Sequence, residues 1–267
     1  MYSGGIILPP ACQLYGIQTE LITSGAPILP LIFSGMAMQD LFFMNGDILV
    51  IAESALATSE GRLICLAEQN PSPEAYDLAH QYDIDPRLAE TILHESDAII
   101  GGIPGFLLCT SQGNLLPNAG IDGSNAPDGY VTLLPTDPNH SAHSLRNEIH
   151  QKTGARIAVL VIDSRTHPMR YGCSGVAIGC SGISAVIDER GRTDLFGREL
   201  KVTRRAIADN IASAAELLMG EADEGIPAVL VRGLELKIGD YEGIEQIPAE
   251  DCLFMGIIAR NANGRLS

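Results

Sequence analysis

The sequence is short of positive charge and nowhere gathers what it has. Its 17 Lys and Arg stand against 33 Asp and Glu, a formal charge of -16 over 267 residues. Without a Lys/Arg stripe there is no electrostatic footprint for nucleic acid, and that class of partner is excluded. The deficit also bears on small anions: a phosphate-bearing ligand would need divalent metals to bring much of the positive charge. Long apolar runs are missing too. With no stretch of roughly twenty apolar residues, no membrane span is expected. The opening MYSGGIILPPACQLYG has no basic start and its apolar residues are interrupted by two prolines, so no leader is expected and the protein is read as cytoplasmic. The six cysteines form no C-x-x-C pair. Reduced, packed thiols are expected rather than a zinc site or a disulfide framework. Neither the G-x-x-x-x-G-K-[ST] phosphate loop nor the Rossmann glycine fingerprint occurs.

What is present is a well-mixed globular chain, nearly half apolar, with no low-complexity segment and no internal repeat. The run from Ile48 to Ile51 reads as a strand buried on both faces, RIAVLVID (156–163), short and β-branched, as a central strand, and AVLVRG (228–233) as the start of a further strand. SPEAYDLAHQY (72–82) reads as a helix. Asp85 followed by Pro86 marks a second helix start, with Leu88, Ile92 and Leu93 facing its core. Ser141 is read as the cap of a helix running to about Thr153 and closed by Gly154, and VTRRAIADNIASAAELLMG (202–220) as the strongest helix. GCSGVAIGCSG (172–182) carries four glycines, so its backbone is expected to turn sharply or to meet a ligand. Helices and strands are interspersed without strict alternation. The expected class is mixed α/β or α+β, in a single domain over residues 1–267.

Three acids stand where such elements meet: Asp122 between glycines in NAGIDGSN, Asp163 at the end of an apolar run, and Glu221 in MGEADEG. Carboxylates at strand ends and glycine turns suit hard cations, and Ser164 adds a hydroxyl beside Asp163. Spacing alone does not show that they converge, and each is equally readable as a solvated turn or cap. His140 and His143, in HSAH, lack a third ligand nearby and are read as capping or surface residues. Cys173 and Cys180, each in a CSG triplet, have no activating base and are read as packed thiols.

In order along the chain, NAGIDGSN, LLPTDP, VLVIDS, GVAIGCSGI, GRTDLFGREL and ADNIASAAELLMGEADEGIPAVLVRG resemble the coenzyme F420-0:L-glutamate ligases, also called F420-0 γ-glutamyl ligases. The likeness runs from about Gly46 to Gly233. It implies an unusual α/β fold in an intertwined homodimer, with the site near the subunit boundary. The implied chemistry uses GTP to activate a carboxylate of F420-0 as an acyl phosphate, which the amino group of L-glutamate then attacks. Two divalent ions, Mg2+ or Mn2+, are implied; whether K+ assists is left open. The resemblance puts Asp122 and Asp163 on the first ion and Ser164 and Glu221 on the second. It puts nucleotide contacts at Asn125 and along Met219, Gly220, Glu221, Ala222, Asp223, Glu224, Gly225 and Ile226. Further contacts fall at Glu53, Ser54 and Thr19 to Ile22, and Arg170 is the retained catalytic arginine. The sequence departs from the family's pattern at Thr58, where a lysine is usual, and at His167 and Tyr171, where arginines are usual. Two other readings therefore stand beside the first: a paralogous ligase for a different carboxylate, and a non-catalytic nucleotide or cofactor binder.

Overall fold

The computed structural model describes residues 11–262; residues 263–267 and most of the opening stretch examined above for a leader, residues 1–10, lie outside the described residues. The chain begins with β1 (Gln13–Ile17), α1 (Ile28–Met38), β2 (Ile48–Ala52), α2 (Glu53–Ser59) and β3 (Leu63–Cys65). Next come α3 (Pro73–Tyr82), α4 (Pro86–Glu95), and the strands β4 (Ala98–Ile103), β5 (Phe106–Ser111), β6 (Asn114–Pro117) and β7 (Tyr130–Thr132). The second half holds α5 (Pro138–Thr153), β8 (Ala158–Thr166), β9 (Cys173–Ser181), β10 (Val186–Asp188) and β11 (Arg204–Ala206). It ends with α6 (Ile207–Met219), β12 (Ala228–Arg232) and α7 (Leu253–Ala262). The expected mixed α/β class holds.

The main sheet has the order β1-β12-β2-β8-β9, with β2 and β8 parallel and the other neighbours antiparallel. Leu49, Ile51, Val159, Val161 and Leu230 face α1 and α5. Ile48, Val50, Leu160, Ile162 and Val229 face α6 on the opposite side. Helices on both faces explain why these strands read as unbroken apolar runs rather than alternating ones. The buried Asp47, at the start of β2, is locked to Arg232 at the end of β12 by two parallel hydrogen bonds of 2.8 and 2.7 Å. That bidentate pair ties β2 to β12 at this end of the sheet.

A smaller body is inserted between β3 and β7. The β4-β5-β6 meander packs Leu107 and Cys109 against Ile92 of α4, together with Ile121, Val131 and Leu133. Asp85 caps α4 by accepting from the Arg87 N–H, with Pro86 at the first helical position, as expected from the sequence. Ile92 is wholly buried, so truncating it to alanine is expected to cost about 2–5 kcal/mol.

Three local expectations are corrected. The fifth helix starts one turn before Ser141: Asp137 accepts from the His140 N–H and Pro138 occupies the first helical position, the same Asp-Pro signal as at 85–86. Ser141 instead donates from inside the helix to Glu60 at 2.5 Å. In the glycine-rich 172–182 stretch only the end glycines, Gly172 (φ 92) and Gly182 (φ 100), turn the chain as expected; Cys173–Ser181 between them is an extended strand, not a loop. Its glycines admit helix backbone: a Cβ at Gly175 would lie 2.5 Å from the Ala212 carbonyl oxygen, and one at Gly179 would lie 2.3 Å from that of Pro138. Of the six cysteines, all free, only Cys109 and Cys180 are buried in the core; Cys12 and Cys173 are exposed, so the packed reading holds for Cys180 and fails for Cys173, which stands at the start of β9.

Candidate active site

The parallel pair sets the site. Its register places Ile51 beside Val161 and Ala52 beside Ile162, so Glu53 steps off the carboxyl end of β2 just where Asp163 follows the last residue of β8 that pairs with β2. Crevices at such ends are where open α/β sheets bind ligands. Side chains alternate along β8, so Asp163 and Arg165 point to one face and Ile162 and Ser164 to the other. Arg165 Nε donates to Asp163 Oδ2 at 2.8 Å, and both side chains are almost buried.

Asp122 reaches the same end from the inserted body. The preceding turn is left-handed at three successive residues, Asn118 (φ 50), Ala119 (φ 54) and Gly120 (φ 75). Left-handed backbone costs on the order of 1–2 kcal/mol at a residue with a side chain. Only glycine fits at 120, where a Cβ would lie 2.7 Å from Leu134. The Asn118 side chain helps to hold the turn by accepting from the Leu107 N–H at 2.9 Å. Asp122 then exchanges two backbone hydrogen bonds with Thr132, and its carboxylate accepts from both the N–H and the hydroxyl of Ser124.

On the other face, α6 delivers Glu216 and ends at Gly220. Gly220 has φ 69 and ψ -173, a conformation essentially reserved for glycine. The turn that follows carries Glu221, whose Oε2 accepts from the Ser164 hydroxyl at 3.2 Å, and Glu224, which accepts from the Ala222 N–H at 2.9 Å. Cys173, though an exposed residue, lies beside this group, and desolvation by its neighbours together with the charges of Glu221 and Glu216 pushes its thiol up.

Between these walls lies a cleft of about 480 Å3. Its lining includes Asp122, Asn125, Glu53, Ser54, Ser164, Glu221 and the turn residues Met219, Gly220, Ala222, Asp223, Gly225 and Ile226. Thr19 to Ile22 and Thr58 also line it, as do three residues the sequence reading did not single out: Ser124, Thr132 and Glu216. Glu216 escaped notice because it stands in the amphipathic run AAELLM, one turn before the conspicuous MGEADEG. Asp163 stands behind the lining, held by Arg165, and Glu224 supports the turn from outside. Arg170 is not brought to the cleft: it lies in the exposed hairpin between β8 and β9, where His167 is bonded to Ser174 at 2.5 Å and Tyr171 is fully exposed.

No Lys, Arg or His lines this cleft among the described residues. The acids consequently strain against one another. Burial and the charges of Asp163 and Asp122 hold the Glu53 carboxyl well above the usual range. Burial raises Asp163, which Arg165 partly offsets and the charges of Asp122 and Glu221 reinforce. Burial, a hydrogen bond to Glu221 and the charges of Glu221 and Asp163 push Glu216 to about 8, and its Oε2 is buried without a partner. No three His, Cys, Asp or Glu side chains among the described residues are close enough to chelate one ion as they stand. On one side the Asp122, Asp163 and Glu53 carboxylates feel one another's charge without closing on a common point; on the other, Ser164 and Glu216 adjoin Glu221. Carboxylates crowded against their own repulsion, with no thiolate or imidazole among them, fit hard divalent cations such as Mg2+ or Mn2+.

A sequence model of the F420-0:gamma-glutamyl ligase family matches residues 16–233. A coenzyme F420:L-glutamate ligase from Methanopyrus kandleri is 47% identical over 200 residues, covering 74% of this chain and 79% of its own length. One from Methanothermobacter thermautotrophicus is 44% identical, covering 83% of this chain and 88% of its own length. One from Archaeoglobus fulgidus is 41% identical, covering 84% and 93%. On this similarity over most of its length, the chain is a ligase of the F420-0:gamma-glutamyl ligase family.

Proposed function

We propose that the chain is a GTP- and divalent-metal-dependent ligase that joins L-glutamate to coenzyme F420-0 through an amide bond, extending a γ-glutamyl tail. The observation that carries this is the cleft itself: nucleotide-sized, free of cationic side chains, and flanked by two separate groups of hard oxygen donors. A ligand as anionic as a nucleoside triphosphate is repelled by such walls unless metals accompany it. Asp122 and Asp163 would hold one cation, and Ser164 and Glu221 the other. Two bound ions offset phosphate charge and the charge that builds during phosphoryl transfer. Asn125 and the 219–226 turn enclose the nucleotide, with Gly220 letting the chain reverse close to it. The acceptor carboxylate attacks the γ-phosphorus and GDP leaves, giving an acyl phosphate; the glutamate amine then attacks the acyl carbon, phosphate leaves, and the nitrogen gives up a proton as the amide forms.

Thr58 in the lining, and His167 and Tyr171 in place of arginines, favour one second reading, a paralogous ligase with the same mechanism and a different carboxylate acceptor. Mass spectrometry of the product from F420-0, GTP and glutamate tests both. A mass increase of one or more glutamyl units supports the first reading. Nucleotide hydrolysis stimulated only by another carboxylate supports the second.

A further inference from the structure

Two charged pairs on the main sheet, Asp47–Arg232 between β2 and β12 and Asp163–Arg165 within β8, differ in a way that bears on cation binding. Arg232 grips the buried Asp47 with Nε and Nη2, one to each carboxylate oxygen, and gives Nη2 also to the Phe42 carbonyl. That guanidinium is well used, and such a bidentate pair is a fixed part of the fold. Arg165 is held differently. It gives Asp163 only its Nε, at 2.8 Å, and gives Nη1 to Asn114 Oδ1 at 3.2 Å. Its Nη2 is buried without any partner, although the side chain is only 11% exposed. A buried donor left unpaired is costly. Arg165 therefore neutralises Asp163 without being optimised for it.

We propose that Arg165 is an internal counter-ion that competes with the first divalent cation for Asp163 and so sets how tightly that cation is held. The inference rests on the reading of Asp163 as a cation ligand. Asp163 faces the charges of Asp122, Glu53 and Glu221, so an apo site needs a positive group to keep these acids together. Arg165 is that group. A divalent ion arriving at Asp163 must displace or share the Nε hydrogen bond, and the proximity of a fixed guanidinium opposes it. The single-contact pairing makes the displacement feasible where a bidentate grip would resist it. Arg165 is thus a positioning residue that acts through Asp163.

The test is Mn2+ binding without nucleotide, followed by electron paramagnetic resonance and calorimetry, on the full chain and on Arg165→Asn, Arg165→Lys and Asp163→Asn. Arg165→Asn is expected to tighten the first Mn2+ by about tenfold, while Arg165→Lys, which keeps the charge, stays within about threefold of wild type. A merely structural arginine would leave Mn2+ affinity unchanged or lower it on removal, and either result overturns the inference. Arg165→Gln, which keeps a longer side chain with an amide donor, is read the same way if the asparagine variant does not fold. Asp163→Asn reports on the underlying reading: if it binds the first Mn2+ as wild type does, Asp163 is no ligand and that reading falls first. If it loses the ion while Arg165→Asn gains nothing, the reading stands and the counter-ion inference alone is overturned.

Discussion

Gly175 of β9 lies directly beneath the Glu216 carboxyl of α6: a Cβ added at 175 would come within 2.7 Å of Glu216 Oε2 and 2.5 Å of the Ala212 carbonyl oxygen. The strand can carry the helix this closely only because residue 175 has no side chain. Gly175→Ala is expected to force the helix outward and to cost about 1–3 kcal/mol, the usual range for overpacking. Urea denaturation of both proteins measures it. A loss below about 0.5 kcal/mol would mean that α6 is free to shift.

The same Glu216 makes metal-free stability depend on pH. An ordinary glutamate loses its proton near 4.5, but here the carboxyl keeps it until about 8, because of burial, the hydrogen bond to Glu221 and the nearby charges. Between those values the folded state binds more protons than the unfolded one. Stability is therefore full below about 4.5 and falls as pH rises toward about 8. The melting temperature in chelator is expected to drop between pH 5 and pH 8, with Mg2+ restoring part of the loss at pH 8. Glu216→Gln is expected to flatten the profile. A metal-free protein equally stable across that window, with the variant no different, would contradict the assignment.

Asp122 and Asp163, which the proposed reading treats alike, have different neighbours, and their asparagine variants are expected to differ in stability. Asp122→Asn removes a charge from a mutually repelling group, and its remaining carbonyl can still accept from Ser124. It is expected to leave the apo fold as stable as wild type or more so. Asp163→Asn leaves the almost buried Arg165 facing a neutral partner and is expected to cost on the order of 1–3 kcal/mol. Both are expected to lower ligase turnover at least about 100-fold at limiting Mn2+, equivalent to about 2.7 kcal/mol of lost transition-state stabilisation. Near wild-type turnover in either variant would remove that residue from the cation site.

How much of this was readable beforehand follows from what each residue answers to. β2, β8 and β12 were legible because strands buried on both faces are continuous apolar runs. The second helix of the inserted body was legible from Asp85-Pro86. The equivalent Asp137-Pro138 was passed over in favour of Ser141, an equally plausible cap four residues later, because local chemistry ranks two competing caps poorly. The 173–181 strand was not legible, since its glycines answer to two helix backbones that no local pattern reveals. Asp122 and Asp163 were recognisable as acids at element ends, but their approach depends on a 41-residue detour through a separate packing cluster. Spacing does not encode such a meeting, and the family resemblance alone pointed to it. Glu216 was hidden for the opposite reason: an acid in a helix is ordinarily a solvated one.

A homodimer is expected from the family resemblance, and the segment between β10 and β11 offers surface for it. Leu195, Phe196 and Val202 there are almost entirely exposed, more apolar surface than a short hairpin ordinarily presents to water. Light scattering at micromolar concentration is expected to give twice the chain mass. Leu195→Asp combined with Phe196→Asp is expected to shift the protein toward monomer. A monomeric wild type would remove the expectation outright.

Thr58 lines the cleft on α2, one turn beyond Glu53, in the place where the family pattern carries a lysine. With no cationic side chain in the lining, an ammonium there would be the first fixed positive charge to meet a triphosphate, and a threonine hydroxyl supplies no equivalent attraction. Thr58→Lys is expected to tighten GTP binding by about tenfold in the presence of Mn2+, equivalent to about 1.4 kcal/mol. Arg165 does not substitute for the missing charge: it is engaged with Asp163 and Asn114 and lies outside the lining. The effect is expected to shrink as ionic strength rises, because the cleft is open to solvent and its charges are screened. Calorimetric titration of both proteins with GTP at two salt concentrations measures it. A gain at low salt that fades at high salt supports a nucleotide pose with its phosphates toward α2. Unchanged or weaker binding at both salts would show that the pocket around Thr58 has been reshaped, and would favour the paralogous acceptor over F420-0.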